Sequence, residues 1–225
     1  MKNKKIKIAI DSPAASGAGT VSKMIAKHYN LLYCDTGKIY RFLAYKLMKK
    51  NTKNKKKYLK KVSGKIKLEK LKNKNLLNDK VAFLASQIAK DQRVRRLVIK
   101  FQKKLAYYPP KKYNGSVLDG RDITSIVVPN ADVKLYITAN LIVRTKRRYK
   151  ELRKLRKKVR YKEVLESMKN RDRHDRTRKH SRLKRTKDSY LINTTNLTIR
   201  ESFLKTKKIV DRKLKQKYGR YYKTR

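Results

Sequence analysis

The sequence predicts an α/β fold with a largely parallel central sheet, and three observations predict it. Short apolar runs alternate with segments of helical periodicity along the whole chain. The first run, Ile6 to Ile10, leads into small residues, Asp11-Ser12-Pro13-Ala14-Ala15-Ser16-Gly17-Ala18-Gly19-Thr20. Val21, Met24, Ile25 and His28 then fall at i, i+3, i+4 and i+7, the spacing of one helix face. Strand, small-residue loop and helix start form the layout of a phosphate-binding loop. Such a loop aims backbone N–H groups and the positive end of a helix dipole at an anion. Its usual pattern is G-x-x-x-x-G-K-[ST]. Here Ser12 takes the first glycine position, Gly17 the second, and Ala18 stands where the lysine belongs.

The remaining elements follow in order. The first helix runs roughly from Gly19 to Tyr29, and a second strand ends at Cys34 before Asp35-Thr36-Gly37. Ile39, Phe42, Leu43 and Leu47 then share a helix face. Residues from about 49 to 78 are rich in Lys and Asn with weak periodicity, the pattern of a small inserted lobe. Periodicity returns with Val81, Leu84, Ala85 and Ile88, and again with Val94, Leu97, Val98, Phe101 and Leu105, until Pro109-Pro110 breaks the helix. Ser116 to Asp119 and Val133 to Ile137 read as core strands. Leu141, Thr145, Arg148, Leu152 and Leu155 share a face, as do Tyr161, Val164, Leu165 and Met168. Ser189 to Asn193 is a last strand, and Ile199, Phe203 and Val210 mark a closing helix.

At 225 residues the chain is long enough for one sizeable core. No apolar run approaches the roughly 20 residues of a membrane span. The basic start, Met1 to Lys5, precedes too short an apolar stretch for a signal peptide and reads as mature sequence. A single cysteine, Cys34, excludes an internal disulfide, fits a reducing cytoplasm and reads as a small buried hydrophobe. Sixty-seven Lys and Arg against sixteen Asp and Glu give a formal net charge of +51. Such a charge attracts nucleic-acid phosphates, so incidental RNA binding at low salt is expected. The basic residues are nevertheless spread along the chain and accompany abundant Asn, Ile and Tyr, as an AT-rich coding sequence produces.

Three constellations carry chemistry. Asp119-Gly120-Arg121-Asp122 sits where a core strand ends, the edge at which open α/β sheets bind ligands. Taken alone it reads equally as a polar turn with a local ion pair. Asp35-Thr36-Gly37, with Tyr40-Arg41 in the next helix, ends another strand. In Asn170 to Arg178, residues Arg171, Asp175 and Arg178 lie at i, i+4 and i+7, which puts Arg, Asp and Arg on one helix face. By itself that segment reads as a solvated face. Together, a phosphate loop, Arg/Asp at strand ends and an Arg-rich helix are the parts of an enzyme that positions phosphates and neutralises their charge.

These residues resemble a known family. Ile8-Ala9-Ile10-Asp11, Asp35-Thr36-Gly37 with Ile39-Tyr40-Arg41, Ala85-Ser86-Gln87 with Arg93-Val94-Arg95, and Asp119-Gly120-Arg121-Asp122 look like segments of the bacterial cytidylate kinases. So do Arg147-Arg148-Tyr149, Arg171-Asp172 with Asp175 and Arg178, and Asn193-Thr194-Thr195, all in family order. The resemblance implies a three-layer P-loop kinase fold in one domain over residues 1–225, with a helical lid at 160–178 and a reduced CMP-side insert at 49–78. It implies phosphoryl transfer from ATP to CMP or dCMP with Mg²⁺, by a cytoplasmic monomer that does not associate with membranes. By the same resemblance Asp11, Ser12, Pro13, Ala14, Ala15, Ser16, Gly17, Ala18, Gly19, Thr20 and Arg147 bind ATP, with Thr20 as a metal contact. Ser86, Arg95 and Asp122 read cytosine. Arg41, Arg121 and Arg178 grip the CMP phosphate, Arg171 and Asp175 hold the ribose, and Thr36 belongs to the same CMP set. Arg41, Arg121, Arg171 and Arg178 are then the catalytic arginines. The family usually has Gly at positions 12 and 15 and Lys at 18, so a lid arginine, Arg147 or Lys23 is expected to supply the missing charge. Two alternatives stay open in the residues alone. One is a catalytically weak nucleotide sensor on this fold, motivated by Ala18, and the other an RNA-binding protein on it, motivated by the charge.

Overall fold

The computed structural model describes residues 5–50, 52, 54–155 and 158–219. It divides into two compact units, one of residues 1–34 and 106–225 and one of residues 35–105.

The first unit is built on a five-stranded sheet of β1 (Ile6–Asp11), β2 (Leu31–Asp35), β3 (Gly115–Gly120), β4 (Val133–Thr138) and β5 (Tyr190–Asn193), in the order β2-β3-β1-β4-β5. β1 pairs in parallel with β3 and β4, and β4 with β5. The central strands read as apolar runs because both faces are covered. Every residue of β3 is buried, and so is all of β1 except the half-buried Lys7. Gly115 opens β3 where a Cβ would lie 2.0 Å from the Ile6 carbonyl oxygen, so only glycine lets the two strands close.

Helices α1 (Ala18–His28), α6 (Leu141–Lys154), α7 (Tyr161–Thr177) and α8 (Ile199–Tyr218) complete this unit. Ile6, Ile8 and Ile10 of β1 join Val21 and Ile25 of α1, Leu135 and Ile137 of β4, and Val210 and Leu214 of α8 in the main core. The faces of two helices differ from expectation. On α8 Val210 is buried and Phe203 packs against the core as expected, but Ile199 is 62% exposed, and Ser202, Thr206 and Leu214 are buried besides. Ile199 occupies the first turn, ahead of the turns that bury side chains, and the small hydroxyl residues satisfy themselves locally, Thr206 donating to the Ser202 carbonyl. On α6 Leu155 lies exposed past the helix end, while Arg144 and Thr145 are buried with Leu152.

The second unit is helical, with α2 (Gly37–Lys49), α3 (Lys55–Ser63), α4 (Asp79–Ile88) and most of α5 (Gln92–Tyr107). Ala44, Val81 and Ala85 pack with Tyr40, Tyr45, Leu84 and Ile88. The Lys/Asn-rich stretch expected as a weakly structured insert at 49–78 carries α3 and two 3-10 turns, Leu68–Lys72 and Lys74–Leu77. Each element buries a single large side chain, Leu59, Leu71 and Leu76 in turn, which leaves little periodicity to read. Three of the asparagines in this stretch are caps: Asn54, Asn73 and Asn78 accept the N–H groups of Lys57, Asn75 and Lys80. Among the described residues no helix is long and apolar enough to cross a membrane.

Candidate active site

The loop between β1 and α1 is tied down at its root and along its carbonyl side. The Ser12 N–H donates to the Gly120 carbonyl at the end of β3, at 3.1 Å. Ala15 and Gly17 take left-handed φ values of 58° and 88°. Gly17 adopts that conformation at little cost, whereas Ala15 forgoes about 1 kcal/mol to the clash of its Cβ. The Gly17 carbonyl accepts the N–H groups of Thr20 and Val21 to start α1. The first turn of α1 itself holds no acidic residue, so its positive dipole end is not offset from within the helix. Ala18 is buried in the main core.

Asp11, expected among the ATP contacts, is wholly buried and turned to another task. One carboxylate oxygen accepts the Ile123 N–H at 2.7 Å, and the other accepts the Thr124 N–H at 2.9 Å and the Thr124 hydroxyl at 2.5 Å. These bonds lock a single π-helical turn, Ile123–Val127, to the root of the loop. Burial pushes the Asp11 carboxyl up to about 6, against the hydrogen bonds that favour its charge. Asp122 precedes that turn, its backbone carbonyl accepts the Ile126 and Val127 N–H groups, and it is buried beside it.

At the end of β3 the Arg121 guanidinium donates to Asp175 of α7 at 2.7 Å and to the Gly120 carbonyl at 3.1 Å. The Gly120 carbonyl thus receives both the loop's first N–H and Arg121. Asp175 also meets Arg178 at 3.4 Å. Burial pushes the Asp175 carboxyl up, but the charges of Arg121, Arg171 and Arg178 outweigh it and hold it below the ordinary carboxylate range. Arg121, Arg171, Asp175 and Arg178 are therefore brought together as the motif suggested, with one difference. The helix stops at Thr177, and Arg178 is its C-cap in an extended conformation. Its side chain folds back, held by a 2.6 Å bond to the Ser181 carbonyl.

In the helical unit, Thr36 is buried at the start of α2. Arg41 donates to the Leu76 carbonyl at 3.1 Å. Ser86 is exposed and donates to the Phe83 carbonyl one turn back. Arg95 is buried, donates to the Ala89 carbonyl, and lies over the Tyr40 ring with 5.5 Å to its centroid.

Three residues carry weight that the sequence had not assigned: Arg144, which it did not single out, and Asp172 and Asp119, which it named without a role. Arg144 grips Asp172 through both oxygens and also bonds the Ala139 and Ala14 carbonyls. No local signal marks this pair, because its partners lie 28 residues apart. The third is Asp119, whose carboxylate accepts the Tyr33 hydroxyl at 2.8 Å and comes within 3.6 Å of where a Cβ on Gly19 would sit. A carboxylate thus stands against the loop, one residue from Thr20. Asp119 lies inside the strand-end motif already singled out, so its position carried the signal.

Residues 8–212 match the cytidylate kinase family. The cytidylate kinase of Bartonella henselae is 41% identical, with the match covering 91% of this chain and 94% of that protein. Those of Clostridium tetani and Rhizobium meliloti are 36% and 38% identical, over 97% and 93% of this chain. In fold the chain is similar to an uncharacterized protein from Eubacterium ventriosum, with a TM-score of 0.55, 18% identity and 92% of this chain covered. With the loop, the strand-end arginine and the α7 cluster set in one frame, and with relatives matched over nearly their whole length, the chain belongs to the cytidylate kinase family.

Proposed function

We infer that the chain transfers the terminal phosphoryl group of ATP to CMP or dCMP, giving ADP and CDP or dCDP. The supporting observation is the joining of the phosphate loop to the Arg121, Arg171 and Arg178 cluster through the Gly120 carbonyl, in a chain of this family. In the reaction a CMP phosphate oxygen bonds to the γ-phosphorus. The bond from that phosphorus to the β–γ bridging oxygen breaks, and ADP keeps the electron pair. Such a transfer requires alignment and charge neutralisation more than covalent chemistry by the protein.

The loop amides from Ser16 to Thr20 and the open end of α1 hold the ATP phosphates. Arg121 and Arg178 exchange part of their hold on Asp175 for the CMP phosphate, and Asp175 with Arg171 turns to the ribose. Ser86, Arg95 and Asp122 recognise cytosine, while Thr36 and Arg41 serve the nucleotide's sugar–phosphate side. The segment 160–178 acts as a lid that excludes water. Mg²⁺ fits the donors at hand, the Thr20 hydroxyl and the Asp119 carboxylate being hard oxygen ligands. Thr20 and Asp119 would hold the ion together with the nucleotide phosphates and water. When bound, the ion neutralises charge on the β- and γ-phosphates. The enzyme works as a cytoplasmic monomer.

The test is a coupled assay of ADP release with CMP, dCMP, UMP, AMP or no acceptor. CMP and dCMP are expected to be turned over well, UMP poorly and AMP negligibly, because a site built to hydrogen-bond one base leaves its polar groups unpaired with another. Equal turnover of AMP and CMP overturns the base-reading assignment. Absence of transfer to any acceptor favours the nucleotide-sensor alternative.

A further inference from the structure

Two peptide groups of the phosphate loop are gripped from behind by α6. Arg144 donates from Nη1 to the Ala14 carbonyl at 3.2 Å, and Arg147 from Nη1 to the Ser16 carbonyl at 3.4 Å. The Ser16 carbonyl also accepts the Thr194 hydroxyl at 2.7 Å. Arg147 is itself anchored on Thr194, by bonds of 3.0 Å to the hydroxyl and 2.8 Å to the carbonyl. No peptide bond described here is cis. In a trans peptide the N–H points opposite its C=O. The N–H groups of Ala15 and Gly17 therefore turn away from the arginines, toward the open side of the loop.

The two arginines differ in charge balance. Arg144 is neutralised by Asp172 in a bidentate pair. Arg147 has no carboxylate partner among the described residues, and its acceptors are a hydroxyl and two carbonyls. Its Nη1 lies 3.7 Å from where a Cβ on Gly17 would be. A net positive charge is thus held against the peptide that opens α1, next to Ala18, in a loop that lacks its lysine.

We propose that Arg147 is the positioning residue that stands in for the missing loop lysine, acting through the Ser16–Gly17 peptide on the ATP phosphates. A cation bound to a carbonyl polarises that peptide and strengthens its N–H as a donor. The same charge raises the local potential where the β- and γ-phosphates rest. Arg147 does this from the carbonyl side, tied down, without touching a phosphate oxygen. The proposal rests on the reading of this loop as the ATP site.

The test measures ATP affinity by calorimetry without acceptor, so it stands apart from phosphoryl transfer, which tests the kinase reading. Arg147→Gln is expected to weaken ATP binding about tenfold or more, and Arg147→Lys, which keeps the charge, by less than about threefold. In the Ala18→Lys background the Gln substitution is expected to cost less than about threefold. Ala18→Lys alone is expected to improve ATP binding by less than about threefold, since the charge is already present. Equal losses for Gln and Lys would mean that the fork geometry matters and the charge does not, which overturns the proposal. So would an undiminished Gln effect in the Ala18→Lys background, or a gain of about thirtyfold or more from Ala18→Lys alone. If Arg147→Gln does not fold, the Ala18→Lys comparison on the native arginine still decides. If Ala18→Lys does not fold, the Gln and Lys pair decides.

Discussion

Arg144 holds Asp172 through two parallel bonds, at 3.0 and 2.6 Å, and the arginine side chain is only 3% exposed. The same guanidinium reaches the Ala14 carbonyl of the phosphate loop and the Ala139 carbonyl just past β4. One side chain thus joins the loop, the exit of β4 and the helix that carries Arg171 and Asp175. Asp172 and Asp175, three residues apart on α7, face two different arginines, Arg144 and Arg121.

Removing one partner of this pair strands a buried charge. Asp172→Ala is expected to destabilise the fold by about 3–5 kcal/mol, whereas Arg144→Met combined with Asp172→Leu recovers most of that loss. Urea unfolding of the two singles and the double variant checks it, and a double as unstable as the worse single variant would contradict it.

Asp11 makes stability depend on pH in an unusual direction. Its carboxyl stands at about 6 in the fold against an ordinary value of 3.8. Between those values the folded state holds more protons than the unfolded one, so stability falls as pH rises through that window. The loss amounts to about 2–3 kcal/mol. Asp132 and Asp175 shift the opposite way, their carboxyls held below the ordinary value, so their contribution is lost only as pH falls below 3.8. Urea midpoints at several pH values between 4 and 6 should decline in the native chain and flatten in Asp11→Asn.

Arg178 touches Asp175 and the Ser181 carbonyl rather than the core. Arg178→Ala is expected to lower kcat by about 10²–10³ with little change in melting temperature. Asp175→Ala should act mainly on the KM for CMP. Wild-type kinetics in both variants would return this segment to a solvated face.

Tyr33 orients the Asp119 carboxylate beside the loop. Tyr33→Phe is expected to raise the Mg²⁺ concentration for half-maximal turnover by about tenfold, the scale seen when a partner that orients a metal-binding group is lost. Titration of Mg²⁺ at saturating ATP and CMP reads this directly, and an unchanged curve would remove Asp119 from the metal's surroundings.

Local pattern was enough for the strands, the loop and every helix outside the stretch from 49 to 78. The apolar runs of β1, β3 and β4 and the face of α1 follow from side-chain periods that burial imposes on neighbouring residues. Position by position, the Asp119-to-Asp122 turn and the Arg171-to-Arg178 segment were also legible, because their charged residues are dense over a few positions. Less legible was the stretch from 49 to 78, where short elements each bury a single large side chain and asparagines act as caps.

By itself the sequence determined the α/β architecture, the phosphate loop, the absent lysine and the family. Only the tertiary structure decided what the charged residues are attached to. It turned Asp11 toward the π-helical turn, drew Asp172 out of a segment that reads as a solvated face into a pair with Arg144, and set Arg147 behind the loop. The physical reason is range. Periodicity reports burial within one element, whereas the partner of a buried charge is fixed by which elements pack together, and those partners lie 28, 112 and 131 residues apart here.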